Sequence, residues 1–161
     1  MQGNNYNNRD PRAGNSSQGG GSRNGGNHQQ RQSMADQKFA ELIFKEEWIR
    51  IGATTEMVDY AEKSGEFMAV NKLTNSKIRS IYGEIKRIQM GEFENEKSSF
   101  YLLKPKVAYA LGRDENNEGL KLFKKVFDKA SESVTDQKSY QNFCNFIEAI
   151  LAYHKAYGGK D

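Results

Sequence analysis

Few residue types in this chain could do chemistry. Its only histidines are His28 and His154, and its only cysteine is Cys144. Cys144 and His154 make a thiol–imidazole pair on paper. Ten residues along one helix, however, put them about 15 Å apart, too far for a proton to pass. A lone cysteine rules out an internal disulfide and a thiolate zinc cluster, and a single histidine after residue 33 rules out a histidine-based metal cluster there. Between Phe143 and Phe146, Cys144 reads as a small buried hydrophobe. Glu148 is the one acid inside the apolar stretch that closes the sequence. It reads either as a general acid or as half of a structural ion pair with a basic neighbour such as Arg79 or Arg113. The Gly19–Gly21 run has no strand before it and no helix after it, so it is not a phosphate-binding loop. No metal or other cofactor is expected, and an enzyme is the weakest reading.

Residues 75–90 carry a clearer signal. At 100° per residue, Ile78, Ile81, Ile85 and Ile88 fall within about 80° of one another and form a core stripe. Arg79 and Lys86 lie opposite, flanked by Ser76, Gly83 and Arg87, while Glu84 points elsewhere. The outer face thus presents three cations and no anion around a glycine. Lys and Arg meet phosphate oxygens, and a missing side chain lets another backbone come close. Such contacts give affinity without reading sequence. The plain alternative is a solvated helix face. Charge is also segregated along the chain. Residues 72–106 hold eight basic and four acidic side chains, and residues 36–66 hold four basic and eight acidic. One region suits phosphates, and the other suits a basic partner or a neighbouring copy. Lys121, Lys124 and Lys125 form a second cluster, diluted by Glu118, Asp128 and Glu132.

The elements that position these residues are helices. The chain has 161 residues and a formal net charge of +3. Arg9, Arg12, Arg23 and Arg31 against Asp10 place all of that net charge in residues 1–33, a stretch with seven Gly, seven Asn, five Gln and four Ser. That composition predicts a disordered tail, followed by one domain over 34–161. No apolar run approaches the ~20 residues that span a bilayer, and no signal peptide is visible, so a cytoplasmic setting is expected. Apolar residues recur at three and four, which predicts an all-α, compact bundle of about five to six helices. The first runs from about Asp36, as N-cap, to Gly52, with Phe39, Leu42, Ile43 and Ile49 on its stripe. The second covers Thr54 or Thr55 to Val70, with Met57, Val58, Ala61 and Met68 inward and Ser64-Gly65 as a weak middle. The third follows Thr74 and stops near Gly91. The fourth spans about Lys97–Gly112, with Pro105 either opening a helix near Leu103 or kinking a longer one. The fifth spans about Asn117–Val134. The sixth begins at Thr135 or Asp136 and stops at Gly158-Gly159. Apolar nearly all round, it is expected to be the central buried C-terminal helix.

Three blocks carry a resemblance. They are Leu73-Thr74-Asn75-Ser76-Lys77-Ile78-Arg79, Leu103-Lys104-Pro105-Lys106-Val107-Ala108-Tyr109-Ala110-Leu111-Gly112-Arg113 and the stretch from Phe146 to Gly159. In order and spacing they resemble the small subunit of type III-A CRISPR–Cas effector (Csm) complexes. The resemblance implies a non-catalytic helical subunit of an antiviral ribonucleoprotein. Such a subunit contacts the backbone of target RNA paired with crRNA, as well as other Csm subunits, including copies of itself. It implies RNA-facing roles for Lys77, Arg79, Lys104, Lys106 and Arg113; Lys86 and Arg87 are added from the helical wheel. The competing expectation is a purely structural adaptor with no direct nucleic-acid contact. The tail's arginines would either add weak RNA affinity or merely solubilise the chain.

Overall fold

The computed structural model describes residues 31–161, of which 32–161 form one compact unit. The expected disorder of the tail therefore falls, up to residue 30, outside the described residues. Among the described residues there are eight helices: α1 (Met34–Glu41), α2 (Glu47–Arg50), α3 (Thr55–Val70), α4 (Asn75–Gln89), α5 (Phe93–Tyr101), α6 (Leu103–Gly112), α7 (Glu118–Ser131) and α8 (Gln137–Ala156). The expected all-α bundle is what forms, and the count rises from six because two predicted helices break.

The first break follows Glu41. Leu42 adopts an extended conformation (φ −87°, ψ 117°), so the helix stops and Ile43 faces solvent, 75% exposed, instead of lying on the core stripe. The break lets Phe44 and Trp48 turn onto Tyr60 of α3 and Phe146 of α8, with ring centroids 5.2–6.2 Å apart. Aromatic packing of this kind outweighs the few hydrogen bonds of a continued helix. The second break is at Leu102. Pro105 is the third residue of α6, where its missing N–H falls among first-turn donors that have no intrahelical partner anyway. Pro105 thus opens a helix.

The N-cap of α1 is Ser33, not Asp36. Ser33 Oγ accepts from the Asp36 N–H, and Asp36 Oδ2 in turn accepts from the Ser33 N–H, both at 3.1 Å. Glu118 of α7 accepts from the Ala35 N–H at 2.7 Å, and Lys125 of α7 pairs with Asp36 at 2.6 Å. The carboxylate of Asp36 is held down to about 2 by Lys125 and the Ser33 hydroxyl.

Helix α8 is the central element. Its Tyr140, Phe143, Cys144, Phe146, Ile147 and Ile150 are buried, while Asn145, Glu148, Ala152 and Lys155 reach the surface as one stripe. Tyr140 donates to the Ile85 carbonyl at 2.7 Å, which fixes α8 against α4. The crossing with α3 is close. A Cβ on Gly65 would lie 2.6 Å from the Ile150 carbonyl oxygen and 2.7 Å from the His154 nitrogen. Ser64-Gly65, read as a weak middle, is where the two backbones meet. Val58, by contrast, is 39% exposed and leaves the predicted stripe.

The turns at one end of the bundle are tied together. Lys72 adopts a positive φ of 71° in the α3–α4 turn. Asn117 Nδ2 donates to the Lys72 carbonyl at 2.9 Å, and the Gly119 N–H donates to the Asn71 carbonyl at 3.0 Å. His154 Nε2 donates to the Leu73 carbonyl at 2.7 Å, and the Asn75 N–H donates to the Lys160 carbonyl at 2.8 Å.

Candidate nucleic-acid interface

The core stripe of α4 forms as expected: Ile78, Ile81, Ile85 and Ile88 are all buried. The opposite arc carries Ser76, Arg79, Gly83, Lys86 and Arg87, but it is not a face of cations alone. Two of its three cations, Lys86 and Arg87, meet carboxylates of neighbouring helices, and Arg87 meets one of its own helix as well. Lys86 pairs with Glu148 of α8 at 3.0 Å, which raises the lysine's affinity for its proton. Glu148 is therefore half of an ion pair, and its partner is Lys86 rather than Arg79 or Arg113. Arg87 forks in two directions. Its Nε and Nη2 donate to Glu84 at 3.1 and 2.9 Å, and its Nη1 and Nη2 donate to Glu96 of α5 at 3.2 and 3.0 Å. Both carboxylates are held below their ordinary range, chiefly by that guanidinium. Glu84 thus turns into the site instead of away from it. Lys77 pairs with Asp114 at 2.6 Å, and Asp114 is lowered first by Lys77 and then by Asn117.

The other four candidates, Arg79, Lys104, Lys106 and Arg113, have no carboxylate within 4 Å among the described residues. They do not form one cluster. Lys106 and Arg113 line a groove of about 740 Å³ between α4 and α6, together with Ser76, Lys77, Ser80 and Tyr109. Arg79 lines a smaller cleft of about 450 Å³ on the other flank of α4, beside Tyr82, Glu148 and Asp161. Lys104 is exposed on a different side of α6 and lines neither. The Gly83 position is open: a Cβ there would meet nothing within 4 Å.

Sequence reasoning passed over Tyr109. It lies on the groove face of α6, 68% exposed, with the Arg113 guanidinium 5.9 Å from its ring centroid. The signal was available in the spacing, because Leu102, Pro105, Lys106, Tyr109 and Arg113 share one helical face.

The thiol and the imidazole weighed for catalysis lie elsewhere. Cys144 is buried, and burial pushes its thiol up to about 11. His154 is fully buried, with its ring against Gly159. No group of three or more metal-ligating side chains occurs among the described residues, and no helix among them is long and apolar enough to cross a membrane.

Fold and site together define a small helical bundle with a groove between two helices, lined by Lys106, Arg113 and the Lys77–Asp114 pair. The comparisons with known proteins give that class a family. A family model described as Csm2 Type III-A matches residues 52–160, two-thirds of the chain. The "CRISPR system Cms protein Csm2" of Streptococcus thermophilus is 33% identical over 96 residues, covering 55% of this chain and 76% of that protein. No solved structure matches. The chain belongs to the Csm2 type III-A family and is a small subunit of a type III-A Csm complex.

Proposed function

We propose that this subunit is non-catalytic and binds the backbone of target RNA paired with crRNA, without reading sequence, as part of cytoplasmic antiviral defence. Residues 34–161 are the binding domain, and residues 1–33 are an extension to it. The carrying observation is the set of cations with no acidic partner at the α4–α6 surface: Lys106 and Arg113 in the groove and Arg79 on the far flank of α4. In an RNA-guided complex base pairing reads the sequence, so the protein needs only shape and phosphate contacts. Lys86 and Arg87 hold helices together in this reading. Lys77 shares its charge with Asp114.

The test is the salt dependence of RNA binding. The triple variant Arg79→Ala, Lys106→Ala, Arg113→Ala is expected to flatten the slope of log K against log salt by about 2 to 3, one phosphate contact per cation. The double variant Lys86→Ala, Arg87→Ala should leave the slope unchanged. A triple variant with the parental slope refutes the assignment.

A second reading is favoured by α3. Asp59 and Glu66, both exposed, and the half-buried Glu62, which accepts from the Tyr157 hydroxyl at 2.7 Å, lie along one helical arc with no cation within 4 Å among the described residues. That surface suits a basic neighbouring subunit, a copy of this chain included. If crosslinking in the assembled complex finds protein contacts but none to RNA, the chain is an adaptor only.

A further inference from the structure

The groove between α4 and α6 holds more than phosphate ligands. Lys106 and Tyr109 of α6 and Arg113, which caps its end, follow one another at spacings of three and four, so a cation flanks the aromatic ring on each side along one helical face. The facing wall on α4 is made of Ser76, Lys77 and Ser80; the two serines are short, and Lys77 is drawn to Asp114 at 2.6 Å. Tyr109 is 68% exposed although Arg113 approaches its ring, which restricts the side chain without covering it. A duplex backbone has no use for an aromatic ring, because its bases are stacked inside. Exposed aromatics between cations are the surface that single strands select, since any base can stack on a ring while its phosphates meet the neighbouring charges.

We propose that Tyr109 is a stacking platform for an unpaired nucleobase, with Lys106 and Arg113 taking the flanking phosphates. The inference rests on the RNA-binding reading of the same groove and deepens it: within the strand whose backbone the groove holds, one nucleotide is unpaired where it meets this subunit.

The test compares three labelled probes on the full chain at low salt: a short single-stranded RNA, the same strand with abasic sites, and a blunt RNA duplex. Tyr109→Ala is expected to weaken the intact single strand by about 5- to 100-fold and to leave the duplex unchanged. Tyr109→Phe keeps the ring and should keep parental affinity. The abasic strand should bind the parent as weakly as the intact strand binds Tyr109→Ala. An exposed position is a safe one to truncate, and matching melting temperatures confirm that both variants fold. If Tyr109→Ala binds the single strand as the parent does, or loses strand and duplex equally, the stacking role is wrong while the groove still binds RNA. If Tyr109→Ala fails only in recruitment to other subunits, the ring is a protein contact and the proposal falls. If the parent binds none of the probes, the RNA reading and the stacking role fall together.

Discussion

Replacing glycine by alanine inside a helix normally stabilises it, by about 1 kcal/mol, because alanine loses less backbone freedom on folding. The two mid-helix glycines of this bundle should respond in opposite directions. At Gly83 a Cβ meets nothing within 4 Å, so Gly83→Ala should show the propensity gain and raise Tm by about 4 °C. At Gly65 the same methyl group would lie 2.6 Å from the Ile150 carbonyl oxygen, 2.7 Å from the His154 nitrogen and 2.8 Å from the Tyr153 Cβ. The first two are backbone atoms of the central helix, so no rotamer change relieves the contact and α3 and α8 must separate. Overpacking of a tight core costs about 1–3 kcal/mol, and a clash with backbone belongs at the upper end. Less the propensity gain, Gly65→Ala should lose about 2 kcal/mol, a fall in Tm of about 8 °C. Thermal melts by circular dichroism, with urea titrations beside them, measure both variants. A Gly65→Ala protein as stable as the parent would refute the close crossing, whatever Gly83→Ala does.

Two further outcomes follow from the electrostatics and the core. Asp36, held down to about 2 against an ordinary value of 3.8, favours the folded state when ionised. Its contribution is therefore present above about pH 4 and is lost as pH falls from about 4 to about 2. The carboxylate is 35% exposed, so screening keeps the gain below about 1 kcal/mol. Asp36→Asn should melt below the parent at pH 7, and the gap should close near pH 2; a gap that persists to pH 2 rules out the Lys125 and Ser33 contacts as its cause. Cys144, buried and with its thiol pushed up to about 11, should resist a thiol reagent at pH 7 and react fully in denaturant. Rapid labelling of the native protein would contradict its burial.

What was legible in the sequence is what local periodicity encodes. The four isoleucines of α4 repeat at three and four, and they are buried where the wheel puts them. Thr54, Thr74, Asn117 and Asp136 mark helix starts because capping preferences act within a few residues. The two breaks were not legible as breaks. Leu42 stops its helix because Phe44 and Trp48 find rings on α3 and α8, a decision made by residues far away in sequence. The meaning of Gly65 was hidden for the same reason. The α4 site was half legible: the arc of cations is there, but a wheel of one helix contains no neighbours. Glu148 and Glu96, which occupy Lys86 and Arg87, come from α8 and α5. Tyr109 stands in the second block, but an aromatic beside Val107 and Leu111 is as compatible with a core stripe as with an exposed face until the helix is packed.

The ties at the foot of α4 have a consequence for how the molecule comes apart. Asn117 and Gly119 join the start of α7 to the end of α3, so the chain from 72 to 117 leaves and returns at one hydrogen-bonded neck. His154 and Lys160 add two more bonds to the same spot. The entropy of closing that long excursion is met once, at the neck, and not again by each helix within it. α4, α5 and α6 are then the excursion that this neck closes, packed on α8 through Phe93 and Phe100. In hydrogen exchange they should open together, at lower free energy than α3 and α8 and without unravelling them. The groove belongs to that excursion, so its surface is free to be reshaped by substitution while the frame that anchors it stays as it is.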